Sequence, residues 1–211
     1  MRTHAAGSAR AGAVAAAAAC LAVAAAGCGS GGSAAAPAAS ASHHAMASHH
    51  AMSETATVGS DCGMVPGSGI GSFHSMKMDA VVTAAMHNPL LTAFAADVKT
   101  AGLTSELDSM HALTVFAPAN SAFRKLPASQ MSMMHSTAEL AKILKYHVVS
   151  GRVTPAELAH GMTLNTLEGS SLKTSKMGSV YEVNNADVIC GNIRTANATV
   201  YVISKVLTPM H

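Results

Sequence analysis

Four imidazoles and two thioethers fall within residues 42–52, as Ser42-His43-His44-Ala45-Met46, one alanine, then Ser48-His49-His50-Ala51-Met52. Imidazole suits zinc, copper and nickel, and thioether favours copper(I). A flexible segment can wrap such an ion without a preformed cage. His43, His44, Met46, His49, His50 and Met52 are therefore candidate copper ligands, as histidine-rich tracts are a compositional cue for metal. The competing explanation is a low-complexity linker enlarged by short duplication. Methionine and histidine recur in His74-Ser75-Met76-Lys77-Met78 and in Met131-Ser132-Met133-Met134-His135, without a spacing that picks out a site. No cofactor other than copper is suggested.

Catalytic patterns are missing from the sequence. It has no GxSxG elbow, Walker loop, GxGxxG, HExxH or paired-carboxylate motif. Gly67-Ser68-Gly69-Ile70-Gly71 is glycine-rich but has no strand before it to make a phosphate loop, and it reads as linker. The expectation is that the protein is not an enzyme.

The amino terminus reads as an address. Arg2 and Arg10 precede an apolar run from Ala11 to Ala26, which ends in Ala25-Ala26-Gly27-Cys28. A charged region followed by an apolar region marks an export signal, and the run is too short and alanine-rich for a membrane span. Small residues before Cys28 look like a bacterial lipoprotein lipobox, although Ala25 is smaller than the residue usual there. The expected organisation is a lipoprotein signal over residues 1–27, lipidation at Cys28, a disordered tether over 28–71 and one folded domain over 72–211. Two alternatives stay open: Cys28 as a spectator beside an ordinary secretory cleavage site, or Cys20 as the anchor. Residues 29–60 are rich in Gly, Ala and Ser and cannot bury enough surface to fold. The expected location is the outer face of a bacterial cytoplasmic membrane or the cell wall.

Arg2 and Arg10 also account for the whole formal charge of +2. Without them the chain is neutral, so nothing draws it to a phosphate backbone and nucleic acid is not an expected partner. With no Trp and only four Phe and three Tyr, the core must rest on aliphatic side chains and Met.

The elements follow from periodicity and punctuation. Helices are predicted over 79–86, 90–101, 104–108, 120–126 and 136–146, with another beginning at Thr154-Pro155. Apolar residues at Leu90, Leu91, Phe94, Ala95 and Val98 follow the helical period, and Gly102 is a C-cap. Asn120 or Ser121 is placed to cap the helix after Pro118. Strands are predicted over 113–117, 147–149, 163–166, 171–174, 180–183, 186–189, 193–196 and 199–207, with turns at Asn184-Asn185 and Gly191-Asn192. Helices first and strands afterwards give an α+β class.

Three ordered segments carry a resemblance. Thr114–Phe123 (TVFAPANSAF), Ile143–Val149 (ILKYHVV) and Thr199–Leu207 (TVYVISKVL) resemble the opening box, the tyrosine–histidine element and the closing box of the fasciclin-like (FAS1) family. The resemblance covers roughly residues 75–211. Asn184–Cys190 and Thr195–Tyr201 also look like stretches of the small secreted and lipid-anchored mycobacterial antigens of that family.

The resemblance implies a single domain, a β-sandwich wedge flanked by helices. It implies extracytoplasmic adhesion or interaction with a protein or glycan, a monomeric domain, and membrane contact through the lipid anchor. It marks Tyr146 and His147 as binding candidates, although a buried Tyr and His serving local hydrogen bonds is the blander alternative. Cys62 and Cys190 read as one disulfide in an exported domain, which the cysteine placement of the similar antigens supports. Ser204 departs from the family, whose closing box usually carries an acid there.

Overall fold

The computed structural model describes residues 56–209. Strand β1 (Leu113–Pro118) forms at the β-branched and aromatic run and is buried at every position. It pairs antiparallel with β2 (Val148–Ser150) and parallel with β7 (Ala198–Ile203). A strand covered on both faces reads as a continuous apolar run. Leu113, Val115 and Ala117 of β1 face one core, and Phe116 faces another.

Strands β3 (Thr163–Asn165), β4 (Ser171–Met177), β5 (Val180–Val183) and β6 (Ala186–Arg194) complete a seven-stranded sheet in the order β2-β1-β7-β6-β5-β4-β3. Only the β1–β7 pair is parallel. The edge strands come together where Val149 bridges Thr166 and the Leu167 N–H donates to the Val148 carbonyl at 2.8 Å. The wedge is thus one sheet curled nearly closed, which shields its short edges. One face gathers Phe116, Tyr146, Leu172, Tyr181 and Tyr201. The other carries the helical layer.

That layer contains α1 (Phe73–Met76), α2 (Val81–His87), α3 (Thr92–Thr100) and α4 (Thr104–Ser109). Helices α5 (Asn120–Phe123), α6 (Ala128–Met133) and α7 (Thr137–Tyr146) follow β1, and α8 (Pro155–Ala159) follows β2. Phe94, Ala95 and Val98 of α3 are buried as their period predicts. Gly102 ends the segment at φ 71°. Thr154 and Glu157 form a reciprocal capping box on α8, with Pro155 at its first position. The α+β class stands.

Four expectations need correction. The folded region begins before residue 72: Val58 pairs with Gly191, Val65 is buried, and Cys62 is bonded to the sheet. Asn120 does not cap its own helix. Its Oδ1 accepts from the Ala93 N–H at 2.9 Å and its amide donates to the Pro89 carbonyl, so it caps α3, where Leu91 at the cap position has no suitable side chain. Helix α6 was not anticipated. The predicted pair of strands over 186–196 is one bulged strand, β6, with register shifts between Val188 and Ile193. Gly191 at the bulge exchanges both backbone hydrogen bonds with Val58 instead of turning the chain.

Candidate functional site

The tyrosine–histidine element lies at the corner between α7 and β2, and both side chains point inward. His147 is fully buried, with Nδ1 2.7 Å from the Ile143 carbonyl. A carbonyl only accepts, so the proton sits on Nδ1. Nε2 is left to accept the Leu207 N–H at 2.9 Å. This bonding holds one neutral tautomer. Burial lowers the imidazole pKa to about 4, against the raising influence of the Ile143 carbonyl.

Tyr146 is 2% exposed. Its hydroxyl donates to the Ser171 carbonyl at 3.3 Å and accepts from the Asn184 amide at 2.9 Å. Burial raises its pKa, and the bond from Asn184 opposes that. Neither ring presents a surface to a partner, and both serve the local hydrogen bonding weighed against direct contact in the sequence. Apolar neighbours on both sides of the corner take these rings into the core.

Their bonding partners do reach a surface. Asn184 and Leu207 both line a cleft of about 530 Å³ between β4, the β5–β6 turn and the segment after β7. Lys173, Ser175, Asn185, Lys205, Val206 and Thr208 are among its other lining residues. Asn184 and Asn185 sit at φ 44° and 64°, the left-handed region that a two-residue hairpin turn requires and that asparagine tolerates. Asn184 Oδ1 accepts the Lys173 N–H at 2.8 Å, which ties the turn to β4. Lys205 donates to the Asn185 carbonyl at 2.6 Å. Tyr146 and His147 thus stand behind the wall and hold it in place. The lining offers ammonium, amide and hydroxyl groups, which suit a hydroxyl-rich or acidic ligand. The sequence marked Asn184-Asn185 only as a turn, and nothing in it linked them to Lys173 or Lys205.

The structure joins Cys62 to Cys190 in a disulfide, with Cα atoms 4.8 Å apart. The amino-terminal arm is thereby stapled to β6. Ser204 takes up the polar contacts of its corner by accepting from the Asp187 N–H at 3.0 Å and donating to the Asp187 carboxylate at 3.3 Å. Asn197, within the sequon-like Asn197-Ala198-Thr199, is buried and spends its amide on the Leu107 and Met110 carbonyls. Cys28 and the ligand candidates His43, His44, Met46, His49, His50 and Met52 lie outside the described residues. Among the described residues, no three His, Cys, Asp or Glu side chains cluster to hold a metal. No helix among them is long and apolar enough to cross a membrane.

Strand β1, the α7–β2 corner and β7 lie side by side at one end of the sheet, and they are the three segments of the resemblance. The family model described as Fasciclin domain matches residues 89–209. The chain belongs to the fasciclin domain family. Among fasciclin relatives, the immunogenic protein MPB70 of Mycobacterium bovis is 41% identical over 152 residues, covering 67% of this chain and 75% of that protein. The cell surface glycolipoprotein MPB83 of the same species is 38% identical over 148 residues, covering 67% of this chain and 66% of that protein. Protein sll1483 of Synechocystis is 34% identical over 132 residues, covering 61% of this chain and 73% of that protein. A solved fasciclin domain pair from the insect cell adhesion molecule fasciclin I aligns at 19% identity and TM-score 0.48, over 56% of this chain and 45% of that one. The fasciclin match begins at Pro89, so the disulfide-bonded arm and helices α1 and α2 precede it.

Proposed function

We propose that this fasciclin domain is held outside the cytoplasm by a lipid on Cys28 and engages a protein or glycan partner through the Asn184–Lys205 cleft. The observation that carries this is the pair of bonds that the Asn184 amide donates to the Tyr146 hydroxyl and the Leu207 N–H donates to His147. They preorganise a polar wall, which reduces the ordering cost of binding. The lysine ammonium, asparagine amide and threonine hydroxyl groups of its lining favour reading the cleft as a binding surface. The relative MPB83 is a cell surface glycolipoprotein, which supports the location.

The test measures binding of the full chain to cell-wall glycan fractions and to matrix proteins by biolayer interferometry. Lys173→Ala with Lys205→Ala should weaken binding by roughly tenfold or more with little change in melting temperature. Full affinity in that variant would place the interface elsewhere.

A second function, capture of copper by the tether, is supported by the duplicated Ser-His-His-Ala-Met unit of residues 42–52. Deleting those residues should remove tight Cu(II) uptake and leave partner binding unchanged. Undiminished Cu(II) uptake after the deletion would rule the tether out.

A further inference from the structure

Helix α6 and the two residues that follow it place three soft or borderline donors on one groove. Met131 and Met134 are three residues apart, which puts them on the same face of the chain. The turn that follows is closed by the Met134 N–H on the Met131 carbonyl at 3.1 Å and the His135 N–H on the Ser132 carbonyl at 3.3 Å. Both thioethers and the His135 imidazole line a groove of about 450 Å³ between α6 and α3, floored by Phe123 and Leu126. The α3 wall is made of Ala93 and Ala96, whose short side chains leave the space open, and of Asp97.

Two features set this groove apart from ordinary packing. Met131 is 46% exposed, so it is not a core filler. The Asp97 carboxylate is half-buried and, among the described residues, makes no hydrogen bond or ion pair. Partial burial raises its pKa, and its oxygens still reach solvent, where a cation can meet them.

We propose that Met131, Met134 and His135 form a copper(I) site in the folded domain, with Asp97 as the balancing charge. Thioether and imidazole are the donor set that copper(I) takes. One carboxylate neutralises one monovalent cation. Copper(I) enters and leaves without change of oxidation state, so no oxidant or reductant is needed. The site is separate from the tether histidines and does not depend on the partner-binding role of the cleft.

The test uses the full chain with the tether donors removed: His43, His44, His49 and His50 to Ala, and Met46 and Met52 to Leu. Ag(I), a redox-inert stand-in, is titrated while the methionine methyl groups are followed by NMR. Cu(I) affinity is measured anaerobically against a chromogenic chelator. The expected result is one equivalent bound, with the Met131 and Met134 methyl signals shifting. Adding Met131→Leu and Met134→Leu, which conserve volume, should weaken binding by roughly tenfold or more, as loss of soft donors predicts. His135→Ala should weaken it less. No Cu(I) uptake by the tether-stripped chain, or unmoved Met131 and Met134 methyls, overturns the proposal. So does unchanged affinity in the double leucine variant. If that variant fails to fold, the methyl shifts in the chain that keeps both methionines still decide.

Discussion

His147 Nε2 accepts the backbone N–H of Leu207 at 2.9 Å, across a sequence separation of 60 residues. Only a neutral imidazole can accept at that nitrogen while donating from Nδ1. The bond ties the corner between α7 and β2 to the tail that walls the cleft. The same bond makes the fold sensitive to pH.

His147 has a folded pKa of about 4, below the ~6.5 of an unfolded histidine. Between those values the unfolded chain binds the extra proton, so stability rises with pH there. The contribution is complete above about pH 6.5 and is lost as the pH falls toward 4, by up to about 3 kcal/mol. Glu157, whose carboxyl is held below its ordinary range by the Thr154 N–H and hydroxyl, acts in a more acidic window. Urea titrations at pH 7, 6 and 5 should show the slope. His147→Gln should start less stable and lose most of the slope, and an unchanged slope would assign the effect to other groups.

Asn197 connects the start of α2 to the carbonyl end of α4. It accepts from the Val81 N–H at 2.9 Å and donates to the Leu107 and Met110 carbonyls at 2.8 and 2.9 Å. Asn197→Ala strands these groups in the interior, at a cost of about 3 kcal/mol. Chemical denaturation checks the value. The same burial predicts no glycan on Asn197 of the folded protein when it is expressed with a glycosylation system, which intact mass spectrometry reads.

The Cys62–Cys190 disulfide spans 128 residues of sequence. Cys62→Ser with Cys190→Ser should lower stability by up to ~4–5 kcal/mol in the chain-entropy view. Hydrogen exchange should rise first over residues 56–65. Uniform exchange changes across the sheet, with the arm still protected, would contradict the stapling role.

Gly191 sits against the Tyr201 ring, and an added Cβ would lie 2.4 Å from its Cδ1. Tyr201 is fully buried, with its hydroxyl donating to the Val153 carbonyl at 2.8 Å, so the ring has nowhere to move. Gly191→Ala should cost about 1–3 kcal/mol through overpacking. Tyr201→Leu with Gly191→Ala should show a smaller penalty for the alanine than Gly191→Ala alone, as a double-mutant cycle measures.

Features set by contacts within a few residues were legible in the sequence. The apolar runs of β1 and β7, the capping box of Thr154 and Glu157 and the helix stop at Gly102 all depend on local sterics or on side chains three or four positions apart. The α+β class and the family followed from those runs and their order. Cys62 and Cys190 were legible as a pair because reading Cys20 as part of the signal and Cys28 as the anchor leaves these two in an exported domain.

Tertiary structure decided the rest. Asn120 looked like a local cap, yet it caps α3 because the fold brings an uncapped helix start within 2.9 Å of it. Tyr146 and His147 could be read from sequence either as contact residues or as buried supports. They became supports because apolar packing around the α7–β2 corner draws both rings inward. Lys173, Asn184 and Lys205 share no local pattern, and they meet only where the β5–β6 turn folds against β4 and the tail. Local chemistry specifies each element, whereas a site built from several elements exists only once long-range burial has fixed how those elements pack.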